Sequence, residues 1–208
     1  MPLSRRHFIQ SLTAGLGSGA VCLMGAKSAI ATPDWSYGSD TGPQHWSALS
    51  PDYQLCGTGQ HQSPIDVDAL SSKSVNWRPH YWPSPLVLVN TGHTIRADCA
   101  PGSTLSLDGE AFELIQFHFH TPSEHTRSGQ HQPMEIHFVH RQPETGALLV
   151  LGIWAQVGQP NPTLDRIGAK LPQQPAVSAL LRQPVDAAAL LPKDTTALRY
   201  SGSLTTPP

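Results

Sequence analysis

The chain of 208 residues is long enough for one domain of ordinary size with a short additional segment. Charged residues make up only 13% of it, the formal net charge is −2 and no basic cluster is present, which argues against a coiled coil, a charged disordered tail and a nucleic-acid-binding protein. The 20 prolines and 17 glycines favour short strands joined by turns, and the 11 histidines are the main excess in the composition.

Residues 1–31 have the pattern of an export signal. The pair Arg5-Arg6 precedes an uncharged stretch of small residues, and Ala29-Ile30-Ala31 matches an A-x-A cleavage site. The apolar stretch is too short and too rich in glycine to span a bilayer, which requires about 20 apolar residues. The pattern resembles a twin-arginine signal and predicts a periplasmic or secreted protein, with a mature domain at residues 32–208 and no stable membrane insertion. An amphipathic first helix and a lipoprotein cysteine at Cys22 are the alternatives.

The mature sequence begins with an aromatic-containing loop at residues 33–63, which we expect to wrap around the domain, and continues as a series of short strands. Apolar runs bounded by turn residues predict strands at residues 86–90, 93–97, 105–107, 111–120, 134–141 and 147–157. Residues 163–170 predict a helix of about two turns. Because the connections between successive strands are short, we expect a mainly β fold with minor helices, built on a central, largely antiparallel twisted sheet.

Two of the long predicted strands carry histidines that face the same side. His118 and His120 share a face because side chains alternate along a strand, and their Cα atoms are expected to lie roughly 6.6 Å apart. His137 supplies a third nitrogen if the next long strand pairs with theirs. Three neutral imidazoles leave the fourth tetrahedral position of Zn²⁺ open for water, which is typical of a catalytic zinc site. The pattern therefore predicts a zinc site.

Two hydrogen-bond acceptors stand in register with these ligands. Gln116 lies two residues before His118, and Glu135 lies two residues before His137, so each shares the face of its ligand. A ligating histidine usually donates its second N–H to such an acceptor, which predicts that both residues support the metal site from behind. The alternative interpretation, ordinary surface histidines on a sheet, gives no reason for two acceptors in register.

A cupin-type metal barrel is a further alternative. His118, His120 and Glu124 match part of its first motif. However, Phe112 replaces a glycine that this motif requires, and the second motif lacks its glycine within Pro133–His137. The cupin pattern is therefore only half met.

Seven segments of the mature chain recur in the order found in one known family. They are Gln60–Asp66, Asn90–His93, Leu114–His120, Ser123–Thr126, Glu135–His140, Val150–Ile153 and Gly202–Pro208. Together they resemble the α-class carbonic anhydrases from about Trp35 to Pro208. The resemblance implies the sheet of that family and a zinc enzyme, which hydrates CO₂ reversibly to bicarbonate and a proton by means of a zinc-bound hydroxide.

The resemblance also implies roles for individual residues. His93 corresponds to the proton-shuttle histidine, and Thr205, with Glu124 behind it, to the pair that orients the hydroxide. Tyr37 corresponds to the tyrosine of the solvent network. The metal ligands correspond to His118, His120 and His137. The residues of the CO₂ pocket correspond to Val139, Val150, Leu204, Thr205 and Thr206. The remaining histidines of the mature chain are interpreted as structural or solvated, namely His45, His61, His80, His125, His131 and His140.

The sequence stops at Pro208, inside the last matching segment. Members of the family continue for some tens of residues, so the resemblance implies a truncated chain that lacks the last strands of the sheet and the cysteine that pairs with Cys56. As an alternative to that pairing, Cys56 and Cys99 could form a disulfide with each other in an oxidising compartment. Truncation places Thr205 near a fraying end. Two further hypotheses follow: a zinc-binding but inactive protein, and a promiscuous esterase that uses the same nucleophile.

Overall fold

The computed structural model describes residues 34–70, 75–194 and 196–207. The predicted signal at residues 1–31, including Cys22, lies outside these ranges. The strands are β1 (Trp77–His80), β2 (Ser84–Asn90), β3 (Ile95–Cys99), β4 (Thr104–Leu107), β5 (Glu110–His120), β6 (Thr126–Arg127), β7 (Gln130–His131), β8 (Met134–Arg141), β9 (Leu148–Ala155) and β10 (Ser178–Val185). The α-helices are α1 (Trp46–Leu49), α2 (Leu55–Thr58) and α3 (Pro162–Gly168). Three short 3₁₀ helices lie at Pro51–Tyr53, Val67–Ala69 and Ala187–Leu190.

Strand β5 is the centre of an eight-stranded sheet. Along one edge it pairs with β8, which in turn pairs with β9. Along its other edge, the first half of β5 pairs with β4 and the second half with β3. The sheet then continues through two branches, one from β4 to β1 and one from β3 through β2 to β10. All of these pairs are antiparallel, which confirms the predicted mainly β architecture.

The two faces of the β5–β8 pair have opposite character. One face presents Phe117, Phe119, Ile136 and Phe138, each no more than 2% exposed, to the hydrophobic core. The rings of Phe117 and Phe138 lie 5.4 Å apart between centroids. Burying a side chain of this size stabilises the fold by about 1.5–3 kcal/mol relative to leaving it in water. The other face carries the predicted ligands and their acceptors, so the core holds the site in place from behind.

The predicted strand boundaries are close to the observed ones, with one local difference that concerns the site. Strand β3 begins at Ile95, two residues later than predicted, because residues 91–94 form the turn of a hairpin. In this turn the backbone N–H of Thr91 donates to the carbonyl of Thr94, and Gly92 has a φ of +90°, which few residues other than glycine adopt. His93 is therefore a turn residue rather than a strand residue.

The N-terminal segment contains the two short helices α1 and α2, which the sequence did not predict, and it is held by aromatic contacts as expected. The indole of Trp46 is 6% exposed and donates to the carbonyls of Ser36 and Thr41. The ring of Trp35 packs edge-on against Trp46 at 5.2 Å and against Tyr37 at 5.6 Å. This cluster fixes the path of the segment beside the β2–β3 hairpin.

The described part of the C-terminal segment, residues 196–207, contains neither helix nor strand. Elsewhere, Cys56 and Cys99 are both free thiols, so the possible disulfide between them is absent from the structure. Within the described ranges, no helix has the length and apolar character needed to cross a bilayer.

Candidate metal centre and its surroundings

The register of β5 against β8 brings the three predicted ligands together. His118 lies directly opposite His137, and His120 follows two residues later on the same face. The ring centroids are 5.0 Å apart for His118 and His120, 5.2 Å for His118 and His137, and 4.7 Å for His120 and His137. One ring nitrogen of each histidine lies within 4.8 Å of the other two. Small movements of the rings are therefore enough for all three to reach one ion.

Hydrogen bonds fix which nitrogen of each ring faces the centre. Nδ1 of His118 donates to Oε1 of Gln116 at 2.9 Å, because the amide oxygen can only accept. Nε2 of His137 donates to Oε1 of Glu135 at 2.8 Å. These contacts are the ones predicted from the sequence, and they leave Nε2 of His118 and Nδ1 of His137 free to bind a ligand. This is the arrangement in which an outer acceptor orients a metal-binding ring.

The ring of the third predicted ligand, His120, has one nitrogen that lacks a partner in the described part of the chain. Nε2 of His120 is buried and has no hydrogen-bond partner among the described residues. A buried nitrogen without a partner is costly, and a metal ion would satisfy it. Burial, followed by the charge of His137, lowers the pKa of His118 to about 3 and that of His120 to about 2, so both rings are neutral, as metal binding requires. The donor set therefore fits zinc.

Glu135 accepts four hydrogen bonds on the side of His137 that faces away from the metal centre. Its Oε1 accepts from Nδ1 of His125 at 2.7 Å as well as from His137, and its Oε2 accepts from the backbone N–H groups of Glu124 and His125 at 3.0 and 2.9 Å. Burial alone would raise the pKa of Glu135, but the hydrogen bonds from His125 and His137 outweigh burial and hold it well below its usual range. The carboxylate is ionised and can only accept.

Gly152 makes room for this carboxylate. It lies directly opposite His137 in the β8–β9 register. A Cβ atom at position 152 would stand 2.8 Å from Oε1 of Glu135 and 3.6 Å from the imidazole carbon Cδ2 of His137. Glycine is thus required by close approach rather than by a special φ, a reason that the sequence alone did not reveal.

A chain of hydrogen bonds runs from Glu135 to the C-terminal segment. Nε2 of His125 lies 2.6 Å from the hydroxyl of Tyr200, which lies 2.7 Å from Oγ of Ser63. Because Glu135 only accepts, Nδ1 of His125 donates to it, while Nε2 of the same ring is hydrogen-bonded to the hydroxyl of Tyr200. The hydroxyls of Tyr200 and Ser63 are hydrogen-bonded to each other, and Ser63 accepts from the backbone N–H of Ser203 at 3.1 Å. His125 was predicted to be structural or solvated, and sequence spacing gave no signal for its link to Tyr200.

Glu124 lies beside the centre and holds two predicted site residues. Its side chain is 8% exposed, and Oε1 lies 3.3 Å from Nδ1 of His120. The hydroxyl of Tyr37 donates to Oε1 at 3.0 Å, and the side chain of Thr205 also hydrogen-bonds the carboxyl group. Burial raises the pKa of Glu124, whereas the hydrogen bond from Thr205, the charge of His137 and the hydrogen bond from Tyr37 oppose that rise. Tyr37 therefore contacts Glu124 directly, and Thr205 lies within reach of the same carboxyl group, while its predicted role with Glu124 stays a prediction.

His93 lies exposed in the β2–β3 turn and stacks on Trp35. Their ring centroids are 3.8 Å apart and their planes differ by 9°. Burial against the neighbouring groups lowers the pKa of His93, and the charge of Asp34 opposes this effect. The adjacent Thr94 donates to the carbonyl of Phe119, which ties the turn to the end of β5 between the two ligands of that strand.

The predicted apolar wall is partly assembled on the sheet. Val139 lies opposite Val150 in the β8–β9 register, and alternation along β8 places it on the same face as His137. Val139 is half-buried, whereas Val150 is 41% exposed. Leu204, which is 54% exposed, and the half-buried Thr206 belong to the irregular C-terminal segment instead.

The chain is similar to known carbonic anhydrases over most of its length. A family model described as eukaryotic-type carbonic anhydrase matches residues 41–208. A carbonic anhydrase of Klebsiella pneumoniae is 42% identical over 177 residues, which are 84% of this chain and 72% of that protein. A carbonic anhydrase of Nostoc sp. is 38% identical over an alignment of 214 positions, gaps included, that covers 99% of this chain and 81% of that protein.

Solved structures agree with the sequence comparisons. A hyperthermostable carbonic anhydrase identified from an active hydrothermal vent chimney matches with a TM-score of 0.79 and 42% identity, over 84% of this chain and 78% of that one. The α-carbonic anhydrase from Thermovibrio ammonificans, solved with the inhibitor sulfanilamide, matches with a TM-score of 0.76 and 41% identity over the same shares.

Proposed function

Because the chain belongs to the eukaryotic-type carbonic anhydrase family, an enzyme family, we propose that it hydrates CO₂ reversibly to bicarbonate and a proton at the three-histidine centre. The observation that carries this proposal is the convergence of three imidazoles, of which two are oriented by acceptors and one has a buried nitrogen without a partner in the described structure.

The metal that fits this donor set is zinc. His118 and His120 would each bind it through Nε2, and His137 through Nδ1, because their other nitrogens face Gln116, Glu124 and Glu135, respectively. When bound, zinc lowers the pKa of a water molecule into the neutral range, as is established for carbonic anhydrases, and so supplies a hydroxide nucleophile for CO₂.

Thr205 and Glu124 would orient the nucleophile. A carboxylate that accepts the proton of the Thr205 hydroxyl leaves the oxygen of that hydroxyl free to accept a further hydrogen bond. A nucleophile held in this way would donate a hydrogen bond to Thr205 and would turn a lone pair toward the substrate. The hydrogen bond from Tyr37 to the same carboxylate would help to keep Glu124 ionised within its buried surroundings.

His93 would carry the released proton toward solvent. Its exposed position in the turn allows exchange with buffer, and imidazole is the side chain whose ordinary pKa lies nearest to neutrality. The substrate itself is small and apolar, so it needs little polar recognition. Val139 and Val150, together with Leu204 and Thr206 from the C-terminal segment, are the residues that we propose to surround it.

We also propose that the protein is exported to the periplasm or secreted. This proposal is supported by the Arg5-Arg6 pair, the uncharged stretch and the Ala29-Ile30-Ala31 site in the sequence. Replacing both arginines by lysine in the full-length chain, followed by fractionation of the cells, tests it. Retention of the precursor in the cytoplasm is expected, and unchanged export would contradict a twin-arginine route.

The proposed activity is tested by stopped-flow CO₂ hydration with the purified protein before and after removal of zinc by a chelator. We expect turnover to disappear with the metal and to return when zinc is added back. His118→Gln should lose both bound zinc and turnover, whereas the exposed His80→Gln serves as a matched control and should keep both. Bound zinc without turnover would indicate an inactive metal-binding protein, and turnover of esters that exceeds that of CO₂ would indicate an esterase.

A further inference from the structure

Arg96 on β3 lies next to a proposed metal ligand. In the β3–β5 register, Arg96 is directly opposite His118, and Asp98 is directly opposite Gln116. Side chains of directly opposed residues in an antiparallel pair lie on the same face, with Cβ atoms about 4.5–5.5 Å apart. The guanidinium group and its neighbouring carboxylate are therefore on the face of the sheet that carries the metal centre.

The two side chains form an ion pair that is open to solvent. Nε of Arg96 donates to Oδ1 of Asp98 at 2.7 Å, and Nη2 donates to Oδ2 at 3.2 Å. The side chains are 41% and 38% exposed, so the pair contributes little to stability. Nη1 of Arg96 takes part in neither of these bonds, which leaves its donors available to a ligand that enters from solvent.

The positive end of this ion pair is the end nearer to the ligands. Arg96 lies opposite His118, while Asp98 lies opposite Gln116, which is two residues further from the other two ligands along β5. The approach to the centre from β3 therefore presents the cation of the pair at the level of His118 and the carboxylate further away.

The proposed reaction converts the neutral molecule CO₂ into the anion bicarbonate. A cation at this place therefore attracts bicarbonate but not CO₂. We propose that Arg96 recruits small anions, above all bicarbonate, to the metal centre, and that Asp98 limits the strength of this recruitment. This inference rests on the proposed function for its physiological ligand. Positive charge beside a site raises the local concentration and the association rate of anions, and it has little effect on CO₂.

A catalyst leaves the overall equilibrium unchanged, so any change that Arg96 makes in kcat/KM must be the same factor for hydration and dehydration. The effect specific to Arg96 is a change in the affinity for anions. This affinity is measured as the dissociation constant of a bound anion and as the KM for bicarbonate. Thiocyanate is a suitable monovalent probe. Its dissociation constant can be measured from the visible spectrum of the cobalt-substituted protein, a readout that does not depend on turnover.

The test compares four variants with the wild-type chain. Arg96→Gln should weaken thiocyanate binding and raise the KM for bicarbonate by about threefold to tenfold, the effect expected for one partly screened charge near a site. Asp98→Asn, which frees the arginine, should shift both quantities in the opposite direction. Arg96→Lys keeps the charge and should stay close to wild type. Arg127→Gln, which breaks the exposed ion pair with Asp68, is the matched control and should have no effect.

Opposite shifts for the first two variants support anion recruitment, because a merely structural ion pair predicts that its two disruptions impair the site alike. Shifts in the same direction, or unchanged thiocyanate binding in both, would overturn the inference even if CO₂ hydration is intact. If the wild-type zinc protein fails to hydrate CO₂ while the opposite shifts in thiocyanate binding persist, the proposed function fails and the anion site stands.

Discussion

Opposite His137, the absence of a side chain at Gly152 leaves the space that the carboxylate of Glu135 occupies. We predict that Gly152→Ala displaces this carboxylate and weakens its hydrogen bond to His137, because the new Cβ would stand 2.8 Å from Oε1. Loss of such an outer contact typically lowers metal affinity by about 10–100-fold. Competition with a chelator of known zinc affinity measures the change.

Gly158→Ala provides the control, since its Cβ would meet nothing closer than 3.9 Å. If Gly152→Ala binds zinc as tightly as Gly158→Ala, then Glu135 does not control the affinity of the centre in the way that its contacts indicate.

Alternation along a strand was sufficient to predict the residues nearest to the metal. Gln116 and Glu135 were identified because each shares a face with a ligand two residues away, and the structure places both in hydrogen bonds with those ligands. The contact of His125 with Tyr200 was not predicted because the two residues are 75 positions apart in the sequence and meet only in the folded chain. Tertiary contacts of this kind leave no periodic signal in a single sequence.

Among the structural elements, the N-terminal segment acts on the site through Trp35. Removing its ring in Trp35→Ala exposes the imidazole of His93 to water, so we expect the pKa of His93 to rise toward the ordinary value of about 6.5. NMR titration of the histidine side chains measures this pKa directly. Trp82→Ala removes an indole that is 69% exposed and should leave it unchanged. A pKa of His93 that is insensitive to Trp35→Ala would show that the stacking does not set its burial.

The C-terminal segment is fastened by hydrogen bonds rather than by strand pairing. Ser63 and Ser203 exchange two such bonds, and Tyr200 links Ser63 to His125. We predict that Tyr200→Phe loosens the segment and speeds hydrogen exchange at the backbone N–H of Ser203 by about tenfold, the equivalent of one net hydrogen bond. Arg199→Gln, which removes the exposed ion pair with Asp108, is the comparison. Equal exchange in both variants would assign no special role to the Tyr200 hydroxyl.

Strands β1 and β10 belong to the eight-stranded sheet, and the sequence did not predict either of them. Each contains a proline, Pro79 and Pro184, and each ends one branch of the sheet. Proline interrupts the sequence pattern of a strand, yet an edge strand has one side without neighbours, where a missing N–H costs little. Central strands such as β8, whose predicted and observed bounds coincide, carry no such interruption.

For the molecule as a whole, His140 links acidity to stability. Its ring is fully buried; Nε2 accepts from the hydroxyl of Tyr81 at 2.6 Å, and Nδ1 donates to the carbonyl of Leu149 at 3.2 Å. Burial lowers its pKa to about 4, although the hydrogen bond to Leu149 opposes this shift. Between pH 6.5 and about 4, His140 therefore binds a proton in the unfolded chain but not in the folded chain. The free energy of unfolding consequently falls as the pH falls through this range.

We predict that the stability advantage of the wild-type chain over His140→Gln shrinks by up to about 3 kcal/mol between pH 7 and pH 4, as the size of the pKa shift implies. Urea denaturation at a series of pH values measures it. His80→Gln controls for the loss of an exposed histidine. A difference between wild type and His140→Gln that does not vary with pH would mean that the buried ring is protonated without cost.

His118 and His137 are directly opposite each other, so zinc binding as proposed would require the correct register of β5 and β8. Sliding β8 by a single residue against β5 would turn His137 into the apolar layer and bring Ile136 or Phe138 to the metal side. A misaligned hairpin would thus be left with two imidazoles in place of three and would hold the ion far less firmly. If zinc binds as proposed, retention of the ion would therefore report the correct alignment of the two strands on which the apolar core is built.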